Sequence, residues 1–491
     1  MRRRAKPPFA VDRDSTVPLF RQLYARTRAA IADGRLRPGD RLPSARSLAA
    51  QLGAARGTID AAYATLAGEG WIIARGAAGT VVAPQLGGSP RPPAAVAAPR
   101  QPARGALGEA SMPPPFRMGL PALDAFPRKL WARLVAREAR SLSTGALSHP
   151  DPAGDRGLRE AIAAYLAISR GVSCTPGQVF VTGGYQGALS LVARTLLAPG
   201  AVVWFEDPGY HLARRALVAA RARLVPVPVD DDGISIEAAI RRAPQASLAV
   251  VTPSHQSPLG VALSLPRRLA LLAWAEAHSA WVIEDDYDGE FHYAGRPLPA
   301  LKSLDRADVV LYAGSFSKVL FPGLRLGYLV VPERLVERFS AAHLLGGELG
   351  RFEQAVVARF MTEGHFARHL KRMRGLYRAR RAALTAALAA AFGDRLRLER
   401  QAGGMHLLAR PAGDTPDTEL VRLAEGHGLA PAPLSPHAIE ADLGPGLLLS
   451  FTNIPEAQAQ SAAEGLFAAI GHRLGPAAPG AAVALTEAKV K

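Results

Sequence analysis

Five short segments of the 491-residue chain carry side chains that could do chemistry, and each directly follows a run of apolar residues. The segments are Gly183–Gln186, Glu206–Tyr210, Thr252–Gly260, Glu284–Tyr287 and Gly314–Lys318. Lysine is the residue type that forms a Schiff base with a carbonyl compound, whereas arginine keeps its proton in a protein and cannot. Only seven of the 59 basic residues are lysines, and Lys318 alone stands in a Ser/Gly turn between two predicted strands. We therefore take Lys318 as the candidate nucleophile.

The other side chains in these segments match the needs of pyridoxal 5'-phosphate (PLP). Asp285 can keep the pyridine nitrogen protonated, Tyr287 can hydrogen-bond the ring oxygen, and Tyr210 can stack on the ring. A phosphate needs hydroxyls, free amides at a helix start and a cation. The candidates for that end are Gly184, Tyr185, Gln186, Ser315, Ser317 and Arg325. Any one segment could be purely structural, but together they predict PLP bound to Lys318, whose pKa a nearby cation and partial desolvation would lower.

The apolar runs predict the strands that bring these segments together. They are Val179–Val181, Val202–Phe205, Leu248–Val251, Trp281–Ile283 and Val309–Leu311, with a further strand predicted at Leu326–Val331. Short buried strands that alternate with helical stretches are typical of a parallel α/β sheet. Ligands of such sheets bind beyond the carboxyl ends of the strands, so we expect the five segments to meet there.

The first 83 residues predict a different kind of domain. Apolar positions four residues apart indicate a helix from Leu19 to Ile31, Ser44 can cap a second helix that Gly53 ends, and a third carries Ile59 and Leu66 on its buried side. Two short strands, Trp71–Ile73 and Thr80–Val82, follow as a hairpin. This order predicts a winged helix-turn-helix whose third helix suits the DNA major groove, although a protein-interaction module would have the same elements.

Charge supports the DNA-binding alternative. The chain has a formal charge of +17, and residues 1–83 hold fourteen basic and six acidic side chains, a net of +8 on about a sixth of the length. Such a concentration favours a polyanionic partner through release of counterions. An arginine-rich composition throughout the chain would also produce basic surfaces, so charge alone does not decide between the two.

Composition sets the remaining boundaries. Residues 84–115 are rich in Pro, Ala and Gly and predict a semi-rigid linker, and residues 475–491 predict a disordered tail. The body is therefore 116–474.

Cys174 is the only cysteine, which argues against a disulfide framework and a cysteine metal site, and we expect no metal. No apolar run reaches the roughly 18 residues of a membrane span and the N-terminus lacks a signal sequence, so we expect a cytoplasmic protein.

Four motifs of the N-terminal domain resemble the DNA-binding domain of GntR-type regulators. They are PLFRQL, IADGRLRPGDRLPSARSLAAQLG, GTIDAAYATLAGEGW and RGAAGTVV. The resemblance implies that Arg46, Arg56 and Thr58 face double-stranded promoter DNA and that the hairpin with Arg75 and Gly79 enters the minor groove. The chain departs from the family at Ala54-Ala55, where relatives usually have a polar helix cap, a loss of about 1 kcal/mol.

The body resembles the fold-type I aminotransferase domain, and the whole chain resembles the MocR branch of GntR-type regulators. The matching motifs are EDPGYH, TPSHQSPLG, IEDDYDGEF, GSFSKVLFPGLRLGY and EGHFARHLKRMRGLYRARR. The resemblance implies a multidomain protein, with a winged helix-turn-helix joined to an α/β PLP-binding domain of aminotransferase fold type I. It also implies a head-to-tail homodimer that senses PLP, or a small amine or amino acid effector, and changes its occupancy of a promoter.

Two positions depart from the aminotransferase pattern. Leu448 stands where these enzymes usually place the arginine that clamps the substrate α-carboxylate, and losing that clamp should cost about 1.5–3 kcal/mol. His149 stands where relatives commonly have a tyrosine that reaches the partner's phosphate, and a surface histidine is the simpler interpretation. We therefore expect a regulator. The alternatives are a working aminotransferase with a DNA-binding appendage, and a cofactor-free DNA-binding dimer.

Overall fold

The computed structural model describes residues 9, 11–76, 79–84, 113–293, 299–344, 349–399 and 401–476. The chain divides into two compact units, Met1–Ser111 and Met112–Lys491, called unit 1 and unit 2 below. The predicted linker lies outside the described residues except for 84 and 113–115, and the predicted tail except for 475–476. No helix in the described ranges is both long and apolar enough to cross a membrane.

Unit 1 is a winged helix-turn-helix. Its helices are α1 (Leu19–Ala32), α2 (Ala45–Leu52) and α3 (Arg56–Gly68), and its strands are β1 (Arg41–Leu42), β2 (Ile72–Ala74) and β3 (Thr80–Val82). The three strands form an antiparallel sheet in the order β1-β3-β2. Leu23, Leu48, Ile59 and Leu66 from the three helices are buried in one core. The three predicted helices and the hairpin are confirmed. Strand β1 was not foreseen, because two residues are too few to show an alternating pattern.

The ends of the unit 1 helices follow the capping chemistry of their residues. The Ser44 hydroxyl accepts a hydrogen bond from the Ser47 amide at 3.1 Å and caps α2, and Gly53 ends that helix with φ of 55°. Helix α3 begins after Ala55, which has no side chain that can accept from the first-turn amides. The predicted absence of a side-chain cap at the start of α3 is therefore confirmed.

Unit 2 contains twelve helices and twelve strands among its described residues. The helices are α4 (Arg128–Arg140), α5 (Arg156–Ser169), α6 (Tyr185–Leu196), α7 (His211–Ala219), α8 (Ile236–Arg242), α9 (Leu265–Ala277), α10 (Leu301–Leu304), α11 (Val336–Leu344), α12 (Arg351–Thr362), α13 (His365–Phe392), α14 (Asp417–Glu425) and α15 (Ala459–Ile470). The strands are β4 (Val179–Thr182), β5 (Val202–Asp207), β6 (Arg223–Asp230), β7 (Gly233–Ile234), β8 (Leu248–Val251), β9 (Trp281–Asp286), β10 (Val310–Ser315), β11 (Gly327–Val330), β12 (Leu396–Leu398), β13 (His406–Pro411), β14 (Ala432–Pro433) and β15 (Leu447–Ser450).

The large sheet has eight strands in the order β4-β11-β10-β9-β8-β5-β6-β7. All five strands that carry the candidate segments run in the same direction, as predicted. The sheet is mixed rather than wholly parallel. Strand β11 lies between β4 and β10 and is antiparallel to both, and the edge strand β7 is antiparallel to β6. Only residues 316–326 join β10 to β11, which is too short for the crossover that a parallel neighbour needs. The chain therefore reverses there, with Lys318 in the turn.

Both faces of this sheet are buried. In β8, Leu248 and Val250 pack into one apolar core, whereas Ala249 and Val251 pack into another on the opposite face. This explains why the strands read as continuous apolar runs rather than alternating ones. A second, antiparallel sheet has the order β12-β13-β15-β14 and places Leu448 of β15 opposite Leu408 of β13.

Restoring a cap should stabilise unit 1. We predict that Ala55→Ser raises the free energy of opening of α3 by about 1 kcal/mol and that Ser44→Ala lowers that of α2 by a similar amount, since each changes one cap hydrogen bond. Hydrogen exchange of the two helices in the full chain, followed by mass spectrometry, measures both. Ala54→Ser is the control, since it adds the same hydroxyl one residue before the cap. Equal protection in Ala54→Ser and Ala55→Ser would contradict the prediction.

Candidate cofactor site

One cavity of about 540 Å³ in unit 2 collects the residues predicted to bind the cofactor. All ten line it: Gly184, Tyr185, Gln186, Tyr210, Asp285, Tyr287, Ser315, Ser317, Lys318 and Arg325. They come from the last residues of β9 and β10 and from the segments after β4, β5, β9 and β10, and these strands end at the same edge of the sheet. The structure thus places these side chains together, and their roles toward a cofactor stay predictions.

Lys318 lies in the turn between β10 and β11, and its side chain points into a tight cradle. Its Nζ donates a hydrogen bond to the Gly119 carbonyl at 3.0 Å. Gly119 has φ of +82°, and a Cβ at that position would stand 2.8 Å from Nζ, so a larger residue would crowd the amine. Burial lowers the pKa of Lys318, against the opposing effects of Asp288 and Asp285. The uncharged amine that attacks a carbonyl is therefore favoured.

The start of α6 forms the end of the cavity that suits a phosphate. Gly184 precedes the helix with φ of 79° and no side-chain cap, so the first-turn amides have no side-chain acceptor there. Ser315, Ser317 and Arg325 line the same cavity, and the Arg325 guanidinium lies 3.4 Å from the Gly183 carbonyl. A Cβ at Gly327 of β11 would stand 2.9 Å from the Gly184 Cα, so glycine lets the strand and this turn meet.

The opposite end of the cavity suits a pyridine ring. Asp285 of β9 is buried, and burial, followed by the nearby Asp286 and Glu206, raises its pKa well above the usual range. A ring nitrogen that needs a proton complements such a carboxyl group. Tyr287 follows β9 directly, and Tyr210 precedes α7, where burial raises its pKa to about 12. The donor set at both ends and the cradled lysine therefore fit PLP.

Sequence reasoning missed a pair of residues behind Tyr287. The Nδ1 atom of His255 lies 3.0 Å from the Tyr287 hydroxyl and 3.3 Å from Oδ2 of Asp288, and both His255 and Asp288 are buried. His255 thus contacts the Tyr287 hydroxyl, which is predicted to hydrogen-bond the ring oxygen of PLP. Both residues stand inside quoted motifs, TPSHQSPLG and IEDDYDGEF, and their polarity directly after a buried strand was the available signal.

Several lining residues come from parts of the chain that no motif joins to Lys318. They are Met118, Gly119, Met405, His406, Ala432, His437 and Leu448. Leu448, noted as a replacement for an arginine, does face the cavity. His149, in contrast, is exposed and is not one of the lining residues. Pairing across the small sheet brings Leu448 to the site, and a sequence carries no local sign of that pairing.

The residues predicted to contact DNA lie on unit 1. Arg46 is exposed in the first turn of α2, and Arg56 begins α3, where its Nε lies 3.4 Å from Asp60. Thr58 is in the first turn of α3. Arg75 and Gly79 flank the turn between β2 and β3, where the Arg75 amide donates to the Gly79 carbonyl at 2.8 Å and Gly79 has φ of +87°. A glycine at 79 suits that turn, and the contacts with DNA remain predictions.

Two buried histidines at the cavity are uncharged at neutral pH. Burial lowers the pKa of His406 and that of His437 to about 4. Both have an ordinary pKa of about 6.5 in the unfolded chain, so below that pH the unfolded state binds more protons than the folded state. Stability is therefore complete above about pH 6.5 and falls as the pH drops toward about 4.

Replacing His406 by Gln tests this linkage. Gln keeps an N–H that can donate to the Pro258 carbonyl, as His406 Nε2 does at 3.0 Å, but it does not titrate. Between about pH 7 and about pH 5 we expect the free energy of unfolding to fall by about 2 kcal/mol more in the native chain than in His406→Gln. Urea unfolding at both pH values measures the difference, with the exposed His472→Gln as control. Equal losses in all three proteins would contradict the prediction.

Comparison with known families agrees with both units. Residues 19–82 match the model of bacterial regulatory proteins of the gntR family, and residues 126–464 match that of aminotransferase class I and II. The chain is 39% identical to the probable rhizopine catabolism regulatory protein MocR of Rhizobium meliloti, over 90% of this chain and 92% of that protein. It is 36% identical to the HTH-type pyridoxine biosynthesis transcriptional regulator PdxR of Corynebacterium glutamicum, over 76% of this chain and 80% of that protein.

Solved structures agree with the fold of unit 2. A kynurenine aminotransferase of Pyrococcus horikoshii is 26% identical with a TM-score of 0.68, and covers 75% of this chain and 93% of its own. The α-aminoadipate aminotransferase LysN of Thermus thermophilus is 28% identical with a TM-score of 0.66, over 73% and 92%. The predicted fold class and resemblance are confirmed. The chain belongs to the MocR-type family of HTH transcriptional regulators, which join a GntR-type DNA-binding domain to an aminotransferase class I and II domain.

Proposed function

We propose that this regulator binds PLP on Lys318 and that a ligand acting at that site, either PLP itself or a small amine or amino acid, changes its binding to promoter DNA. The observation that carries the proposal is the cradled, buried amine of Lys318 in a cavity lined by all ten predicted cofactor residues. The same chain carries a GntR-type DNA-binding unit. One chain therefore contains a buried lysine that can react with a carbonyl compound and a domain that binds DNA. This combination supports DNA binding that depends on a ligand.

Each residue of the site has a task in this proposal. PLP, when bound, supplies an electrophilic carbon at which an amine can take the place of lysine. Burial lowers the pKa of Lys318 and so favours its uncharged, nucleophilic form, and the Gly119 carbonyl gives its amine a hydrogen-bond partner. Asp285 holds a proton at the ring nitrogen, and Tyr287 donates to the ring oxygen with His255 behind it. The start of α6, Ser315, Ser317 and Arg325 hold the phosphate.

Leu448 supports sensing over turnover. It is 1% exposed and packs with Leu408 and Leu434, so the place of the usual carboxylate clamp is filled by aliphatic side chains. An aminotransferase must hold its amino acid in one orientation through many turnovers, and it uses a bidentate arginine for that purpose. A sensor needs only that the ligand bind differently to two states of the protein.

Two linked DNA-binding units would connect the ligand site to promoter binding. In a head-to-tail homodimer two copies of unit 1 can bind two half-sites, and the linker sets their effective concentration for the second site. The ligand regulates DNA binding if it binds with different affinity to the dimer conformation that fits the promoter and to the conformation that does not. Promoter DNA then changes the affinity for the ligand by the same factor as the ligand changes the affinity for DNA.

A gel-shift titration tests the proposal. We expect the apparent Kd of the full chain for the promoter beside its own gene to change at least fivefold on adding PLP, the lower end of usual coupling free energies at about 1 kcal/mol. Lys318→Ala should lose both this change and the visible absorbance of bound cofactor. Lys371→Ala, at an exposed lysine of α13, is the control and should behave like the native chain. Identical DNA binding with and without PLP, and no cofactor absorbance in the native chain, would refute it.

The DNA-facing role of Arg46 has its own test. If Arg46 contacts a phosphate, Arg46→Ala should weaken binding to all DNA sequences alike and reduce the slope of log K against log salt by about 1. If it reads a base, discrimination at one position of the operator falls instead, by about 1–3 kcal/mol. Arg241→Ala, at an exposed arginine of α8 paired with Glu237, removes the same charge and is the control. Unchanged affinity in Arg46→Ala would remove Arg46 from the interface.

A further inference from the structure

We propose that the effector is a primary amine whose body carries no carboxylate and rests against aliphatic side chains. This inference deepens the proposed function and rests on it. Three lining residues of the cavity, Met118, Ala432 and Leu448, belong to or pack against one apolar cluster, here called the Leu448 cluster, whose buried centre is Leu408, Leu434 and Leu448.

Strand pairing fixes the Leu448 cluster. In the small sheet Leu448 of β15 stands opposite Leu408 of β13 on one side and Ala432 of β14 on the other. Leu408 and Leu434 are fully buried, and Leu448 is 1% exposed. The half-buried Met118 and Ala432 pack against these leucines and line the cavity, so they form most of the apolar surface that is open to a ligand. A ligand body placed there gains free energy by burying apolar area, roughly 25 cal/mol for each Å² removed from water.

The lysine and arginine side chains that line the cavity already have tasks in the proposed function. Among the lining residues they are Lys318 and Arg325. Lys318 is the attachment point of the cofactor, and Arg325 lies beside the Gly183 carbonyl at the phosphate end. Within the described part of the chain, no other lysine or arginine lines the cavity to pair with a carboxylate of the effector.

The histidines of the cavity do not replace that cation. Burial lowers the pKa of His211, and it lowers the pKa values of His406 and His437 to about 4, so all three are neutral near pH 7. His406 Nε2 lies 3.0 Å from the Pro258 carbonyl, and His437 Nδ1 lies 3.2 Å from the Gly209 carbonyl, so each ring donates to a backbone oxygen. Such rings can hydrogen-bond a hydroxyl or an amide of a ligand, but they carry no charge to offset a carboxylate.

Desolvation of a ligand carboxylate adds to the discrimination. A carboxylate placed against the Leu448 cluster would lose its water, and among the lining residues of the described chain no unassigned lysine or arginine would pair with it. The same compound without its carboxylate avoids this cost and keeps the amine that can replace Lys318.

The test is an absorbance titration of the full chain loaded with PLP. Matched pairs of amines serve as probes: phenethylamine with phenylalanine, and isoamylamine with leucine, with concentrations expressed as unprotonated amine. We expect each carboxylate-free amine to reach its half-maximal change of the lysine-bound cofactor band at a concentration roughly 10-fold to 100-fold lower than its amino acid, since the carboxylate loses water without a cation to replace it. Gel shifts at the same concentrations should follow the same order.

Substitution of Leu448 sharpens the test. Leu448→Arg should bring the amino acids level with their amines or ahead of them, whereas Leu448→Met, which keeps an aliphatic surface of similar volume, should keep the native order. The wild-type titration stands by itself if Leu448→Arg does not fold.

The outcomes separate the two proposals. If the native chain shows no cofactor band, or Lys318→Ala keeps it, the proposed function fails. If the band is present and the amino acids act at equal or lower concentration than their amines, the inference on the effector is overturned and the proposed function stands. If neither class of compound alters the band, the inference is also overturned, and PLP itself becomes the ligand that is sensed.

Discussion

Burial of the Lys318 amine is the constraint on which the site depends, because it favours the uncharged form and leaves the amine in need of a hydrogen-bond partner. The lysine stands where the chain must reverse between β10 and β11, since too few residues join them for a crossover. The reversal puts it at the carboxyl ends of the parallel strands, where the acid, phenol and phosphate-binding segments also end. The Gly119 carbonyl satisfies the amine, and Asp288 and Asp285 oppose the effect of burial on its pKa.

A buried charge network holds the carboxyl end of β9 in position. Arg170 and Asp286 form an ion pair at 2.5 Å, both almost fully buried, and the Tyr312 hydroxyl donates to the same carboxylate at 2.5 Å. Arg170 also donates to the Gly289 carbonyl and the Ser254 hydroxyl. Asp286 directly follows Asp285 in sequence, so the contacts of Asp286 fix the end of β9. Removing one partner would leave a buried charge uncompensated, which is strongly destabilising.

The parts that could be predicted from the sequence are those with local signals. Each candidate segment follows an apolar run, so the order of residues alone assigns Asp285, Tyr210 and Lys318 to one sheet edge. The antiparallel β11 was not foreseen, because an apolar run has no direction. His406, His437 and the surroundings of Leu448 were also missed, since they join the site through strand pairs and contacts between residues far apart in the chain. The capping of α2 by Ser44, in contrast, depends on four consecutive residues and could be predicted.

A regulator with an aminotransferase fold needs the lysine that attaches the cofactor. It does not need the arginine with which the enzyme binds the substrate carboxylate. The structure matches that division, because the same cavity is lined by the buried amine of Lys318 and by the Leu448 cluster. Reduction of the purified protein with borohydride, followed by peptide mapping by mass spectrometry, tests whether PLP is attached to Lys318. We expect a pyridoxyl phosphate adduct on the peptide that contains Lys318. An adduct on another lysine, or none after loading with PLP, would contradict it.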